Sequence, residues 1–197
     1  TKAKKTVDSE VNVDATKLDF YDDMEKRSFS STVLFSENNK IALKNTLFYP
    51  EGGGQLGDIG IIEWDGKKSK VVDVQKVGDV VVHQIEGDVP SIGTNISGTI
   101  DDECRTGLSI HHTATHLIGA AAREVLGNHI WQAGASKSVD RARLDITHHR
   151  RLNRDVIESI ESKVNNLILA NHLVTTDFYT REDADRKYGN KLYQGGA

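Results

Sequence analysis

Between residues 29 and 100 the chain alternates short runs of β-branched and aromatic residues with turn residues. The runs at 29–36, 40–43, 60–64, 69–76, 80–85 and 95–100 predict strands. Asn38-Asn39, Asp65-Gly66, Gly78-Asp79 and Gly87-Asp88 supply the turn chemistry between them. Many short strands at even spacing, with no long helix interrupting, predict a small barrel or sandwich from about residue 20 to 103. Residues 1–17 are polar and predict a linker or loosely held extension.

The period then changes. From about 105 to 126 apolar residues recur at helical spacing, with Ile110, Ala114, Leu117, Ala121 and Val125 as the expected buried stripe. Gly127 suits a C-terminal cap, and 130–138 with 143–147 predict a hairpin. Asn153 can cap a second helix running to about 171, buried through Val156, Ile160, Val164, Leu167 and Ile168. A strand at 173–179 and a short helix from Thr180 to near Gly189 complete the pattern. The expected class is α+β: a small N-terminal β-barrel subdomain at 18–103, then an antiparallel sheet with helices packed on it at 104–197.

At 197 residues, 37% hydrophobic and 27% charged, the composition is that of an ordinary globular protein. No apolar run approaches membrane-spanning length, which with the lone Cys104 leads us to expect a cytoplasmic chain without an internal disulfide. Cys104 reads as a small buried hydrophobe. A net charge of -4 excludes a globally basic nucleic-acid binder, so RNA contact would need a local patch. Arg150, Arg151 and Arg154, following Arg141, Arg143, His148 and His149, form the densest basic stretch. The start at Thr1 and the end at Gly195-Gly196-Ala197 are those expected of a piece of a longer polypeptide.

Two stretches carry candidate chemistry. His112 and His116 lie four residues apart, so both imidazoles can project from one helical face, opposite the expected apolar stripe. That is metal-ligand spacing, and a stable zinc site would need further donors. His111 falls on the flank of the apolar stripe and reads as a packed or hydrogen-bonded residue. The second stretch, 46–58, contains Gly52-Gly53-Gly54, which either approach a ligand closely or adopt positive φ. It lacks the Gly-Lys-Ser/Thr of a P-loop.

Phe48-Tyr49-Pro50-Glu51-Gly52-Gly53-Gly54-Gln55-Leu56-Gly57-Asp58, the stretch His112-Thr113-Ala114-Thr115-His116-Leu117, and the hairpin bearing Gln132, Arg143, Leu144, Asp145 and His148 together resemble one family. It is the editing domain of alanyl-tRNA synthetase and its freestanding editing relatives. The likeness covers nearly all of 18–197, and the segments at 18–23 and 187–196 are similar to the interior of the archaeal-type synthetase.

The resemblance implies hydrolysis of Ser-tRNA(Ala) and Gly-tRNA(Ala). An alanine pocket cannot exclude glycine and rejects serine poorly, so a second site must remove the errors. It also implies zinc held by His112 and His116, with a later Cys and His beyond Ala197 in the family's pattern. The metal either activates a water or anchors the amino acid. Gln132, Thr46 and Gln55 are the implied catalytic polar residues. Gly52, Gly53 and Gly54, with Arg143 and Asp145 bracing the hairpin, are implied on the substrate side. Arg150, Arg151 and Arg154 are candidates for phosphates of the tRNA(Ala) acceptor end. The other expected partners are the remaining domains of the synthetase, with no membrane partner. A freestanding trans-editing deacylase and a catalytically silent tRNA-binding module are the alternatives. A zinc peptidase is a further rival class, and Thr113, standing where HExxH requires Glu, argues strongly against it.

Overall fold

The computed structural model describes residues 11–175 and 177–189. Its strands are β1 (Lys17–Leu18), β2 (Ser28–Glu37), β3 (Lys40–Leu43), β4 (Asn45–Thr46), β5 (Gly60–Trp64), β6 (Lys67–Val77), β7 (Val80–Glu86) and β8 (Asn95–Ile100). There follow α1 (Asp102–Leu126), β9 (Gln132–Lys137), β10 (Ala142–Ile146), α2 (Arg154–Leu169) and α3 (Arg181–Tyr188). The chain divides into two compact units, Thr1–Leu108 and Ser109–Ala197. The fold is α+β, as expected.

In the first unit, six antiparallel strands close into a barrel in the order β2-β3-β7-β6-β5-β8. Closure removes both sheet edges. The expected strands are all present, and the inward positions follow period 2: Ile62 and Trp64 on β5, Ile96 and Ile100 on β8 are buried. Phe29 and Phe48 pack edge to face inside at 5.7 Å, among Val33, Ile41, Leu43, Leu47, Val71, Val74 and Val81. The turns Asn38-Asn39 and Asp65-Gly66 have positive φ throughout, the mirror-image turn whose twist matches the strands it joins.

The expected loose extension is tied down over its later residues. Val11 and Val13 pack on Ala42, Val80 and Val82. Thr16 donates its N–H to Asp79 O (3.0 Å) and accepts from Val81 N with its hydroxyl (3.0 Å). β1 then pairs in parallel with β4. The earlier part of the extension, 1–10, lies outside the described residues.

A buried ion pair secures the loop between β4 and β5. Asp58, fully buried, accepts from Tyr49 N–H (2.7 Å) and from the Arg105 guanidinium through both oxygens. Arg105 also donates to Leu47 O at 2.7 Å. Asp101 caps α1 by accepting from Cys104 N–H (2.8 Å), which starts the helix a turn earlier than the apolar pattern indicated. Cys104 is buried, and desolvation, with Asp58 and Asp101 nearby, pushes its thiol pKa up. It is the packed hydrophobe expected.

In the second unit, β9 and β10 pair antiparallel as a hairpin. Asn153 caps α2, accepting from Val156 N–H, and Gly127 follows α1 at φ 110°. Two helix faces and one strand differ from expectation. The stripe proposed for α1 is covered only in part: Ala121 is buried and Ala114 and Leu117 half-buried, but Ile110 is 61% and Val125 38% exposed, while Leu108, Thr115 and Ala122 outside it are buried. On α2 no residue is fully buried and Ile168 is 56% exposed. The strand expected at 173–179 is absent from its described residues, with Leu173, Val174 and Phe178 largely exposed. Periodicity identifies an apolar face, but which face is covered depends on what packs against it, and a strand needs a partner edge.

Asp58→Ala leaves the Arg105 guanidinium buried and unpaired. It should cost about 3–5 kcal/mol in urea unfolding, and adding Arg105→Leu should restore part of that loss; equal stability of wild type and Asp58→Ala would contradict this account.

Candidate functional site

In the first unit the glycine stretch is a closed turn. Gly52 and Gln55 exchange two backbone hydrogen bonds (3.1 and 2.9 Å), with Gly53 and Gly54 between them at φ 58° and 77°. Both central positions of such a turn require positive φ, which explains two of the three glycines without a ligand. Glu51 N–H bonds Val74 O at 2.8 Å, and a Cβ on Gly57 would come within 2.6 Å of the same carbonyl. The loop therefore lies tight on β6, with Gly53 and Gly54 exposed at its tip and Gln55 buried.

Thr46 lies in the barrel interior, with no exposed surface. Its hydroxyl is 2.9 Å from His83 Nε2 and accepts from Phe48 N–H at 3.1 Å. Across the ring, His83 Nδ1 is 3.3 Å from Ile41 O. A carbonyl only accepts, so Nδ1 carries the proton and Nε2 accepts from Thr46. Burial pushes His83 down to about 4, against the weaker opposing pull of Ile41 O, so the ring stays neutral. His83 gave no sequence signal, because a histidine at an inward position of a strand looks like any other core residue.

In the second unit α1 does bring His112 and His116 together. Their rings stack at 5.2 Å between centroids, 17° from parallel. His112 is half-buried and His116 exposed, so the pair flanks the covered side of the helix. Thr115 between them is buried, and its hydroxyl donates to His112 O at 2.7 Å. His111 turns to the hairpin, with Nδ1 2.7 Å from Ser138 O, the hydrogen-bonded role expected of it.

Lys137, at the end of β9, is 2% exposed. Desolvation lowers its pKa. Desolvation, then the Lys137 charge, holds both His112 and His116 below the ordinary histidine value, and His116 adds to the effect on His112. Neutral imidazoles offer lone pairs, the state in which histidine binds metal. The pair fits as two donors of a zinc site, since two imidazoles reach one place in ligand form. Among the described residues no third His, Cys, Asp or Glu joins them.

On the hairpin, Arg143 clamps Asp145 through two hydrogen bonds (2.9 and 2.6 Å), which lowers the Asp145 pKa and raises that of Arg143. Gln132 is half-buried opposite Ile146, beside an irregularity in the pairing. Arg150, Arg151 and Arg154 are exposed, and Arg154 is already engaged with Glu158 at 2.6 Å. Lys137 escaped the sequence reading, because a lysine at a strand end is ordinarily solvated.

A chain with such a barrel and helix-borne histidine pair can be set beside known proteins. It belongs to the class II tRNA synthetases: the family model described as tRNA synthetases class II (A) matches residues 2–104. The alanine-tRNA ligase of Methanosphaera stadtmanae is 45% identical over 194 residues, taking in 95% of this chain and 22% of the relative. That of Methanopyrus kandleri is 46% identical over 185 residues, 92% of this chain and 20% of the relative. The alanine-tRNA ligase of Thermoplasma acidophilum is 45% identical over 184 residues, 92% and 21% respectively. The chain thus spans about a fifth of the length of these curated relatives.

The neutral, buried His83 makes stability pH-dependent. Its folded pKa of about 4 lies below the ordinary 6.5, so the unfolded chain binds the proton first. The contribution is complete above pH 6.5 and is lost as pH falls toward 4, on the order of 3 kcal/mol in all. Urea unfolding across that range should show a shallower loss in His83→Gln than in the wild type. Identical slopes would remove His83 as the cause.

Proposed function

We propose that this chain is a hydrolytic editing domain, releasing serine or glycine wrongly esterified to tRNA(Ala). The observation that carries the reading is the His112/His116 pair, stacked on one face of α1 and kept neutral beside the buried Lys137. The family match to tRNA synthetases, and relatives named as alanine-tRNA ligases, supply the substrate class. The remaining domains of such a ligase are the natural partners.

The reaction adds water to the ester carbonyl. The bond from that carbon to the ribose oxygen breaks, and a proton passes to the departing ribose hydroxyl. His112 and His116 hold zinc in this reading, and the ion supplies Lewis acidity when bound. Gln132 orients the water or the aminoacyl group by hydrogen bonds from its amide. The Arg143–Asp145 clamp keeps the strand opposite it rigid. Lys137 places a positive charge near the histidine pair, where negative charge on the reacting ester oxygen is favoured.

Thr46 acts at one remove. Its hydroxyl is taken up by His83 and Phe48 N–H, so it holds the approach to the glycine turn. Gln55 closes that turn, and Gly53 and Gly54, exposed at its tip, are its ligand-facing part. Arg150 and Arg151 meet phosphates of the acceptor end, with Arg154 contributing less because of Glu158.

Release of serine from Ser-tRNA(Ala) by this chain, with zinc supplied, should exceed release of alanine from Ala-tRNA(Ala). His116→Ala should lower it by about 10–100-fold and Gln132→Ala by about tenfold. A longer chain extending past Ala197 provides the second arm. Serine release by neither chain would end the editing reading; release by the longer chain alone would make this one a binding module.

Replacing Arg150 and Arg151 by Ala should weaken tRNA binding uniformly, and flatten the log-log salt dependence by about one unit for each phosphate left without its arginine. An unchanged slope would place the phosphate-binding residues elsewhere.

A further inference from the structure

Away from the His112/His116 face, a second set of imidazoles converges. His129 lies in the turn after α1, and His148 and His149 follow β10. The ligand nitrogens of all three lie within 4.8 Å of one another. Ring centroids are 5.2 Å apart for His129 and His148, 5.7 Å for His129 and His149, and 4.8 Å for His148 and His149. His129 Nε2 and His148 Nδ1 are 3.0 Å apart.

The two segments are fastened to each other beneath the rings. The Thr147 hydroxyl donates to His129 O and accepts from Trp131 N–H, both at 2.9 Å. Thr147 N–H donates to Trp131 O, also at 2.9 Å. The imidazoles therefore stand on a shared framework. Nothing in the editing reading uses them.

We propose that His129, His148 and His149 form a site for one divalent transition-metal ion, zinc or a neighbour such as nickel or copper, separate from the His112/His116 pair. Three neutral imidazoles suit these ions, whereas magnesium and calcium prefer oxygen donors. Metal–nitrogen bonds of about 2.0–2.1 Å in a tetrahedral arrangement put the nitrogens about 3.4 Å apart, so the wider separations, which lie within 4.8 Å, shorten and the 3.0 Å His129–His148 pair opens slightly, changes that side-chain rotations supply. Water completes the sphere, because His129 and His149 are exposed.

Loading replaces the His129–His148 hydrogen bond. The proton on whichever of those two nitrogens carries it moves, through solvent, to the other nitrogen of the same ring, so neutral rings release no net proton. Desolvation, with His149, His129 and Arg150 adding to it, already holds His148 below the ordinary histidine value. The bound ion clips the start of the hairpin to its end, across the strands that carry Gln132 and Asp145.

The test titrates zinc alone into the chain carrying His112→Ala and His116→Ala, followed by calorimetry and thermal unfolding. One ion per chain should bind, with a rise in melting temperature. His129→Ala and His149→Asn should each weaken binding about tenfold or more. His149→Asn changes an exposed position, so it decides the matter if His129→Ala fails to fold. Absence of zinc uptake by the double-alanine chain overturns the site, as does uptake that His149→Asn leaves unchanged.

Discussion

The Asp58–Arg105 pair is the constraint on which the first unit depends. A buried guanidinium and a buried carboxylate are costly apart, so each fixes the other's position. Asp58 also receives Tyr49 N–H and Arg105 reaches Leu47 O. One pair thus sets both ends of the glycine loop and anchors the opening turn of the helix that goes on to carry His112 and His116. Attraction alone does not explain its value, since well-packed apolar side chains could stabilise as much. What it adds is a unique register for a loop whose Leu47 and Phe48 enter the barrel core but whose next stretch, Glu51 to Gln55, has no apolar side chain to hold it.

The barrel meets the same problem with His83. Thr46 brings a hydroxyl into an apolar interior, where an unsatisfied polar group costs about 1–3 kcal/mol. His83 accepts from it and passes its remaining N–H to Ile41 O, so the polar chain ends on backbone that the strands left available. The second unit uses burial differently. Lys137 and the two histidines beside it stay partly desolvated and mutually repelled in their charged forms. That leaves the imidazoles neutral at physiological pH, the state needed to bind a metal or a substrate hydrogen.

Much of this could be read along the chain. Strand after strand of the barrel follows the alternation of its residues, because burial on one face of a sheet forces period 2. The histidine pair was equally legible, since four-residue spacing on a helix is purely local geometry. The face that buries α1 was legible only in part, through Ala121. Ile110 and Val125 form a good apolar face, yet the covered side runs through Thr115 and Ala122. The glycine triplet showed as unusual in the sequence, but its reason, two positive φ angles closing Gly52 on Gln55, appears only in the fold.

Residues close together in the chain were enough to specify the strands, the capped helices, the turn residues and the spacing of His112 and His116, because each rests on local interactions. Folding in three dimensions was needed for Asp58 to meet Arg105, for Thr46 to turn to His83, for Lys137 to be buried beside the histidine pair, and for His129 to join His148 and His149. The hydrogen-bonded partners among these lie between nineteen and forty-seven residues apart. No periodicity carries such pairings: they follow from how closed sheets and packed helices fold distant segments together, and from the cost of leaving a buried polar group alone.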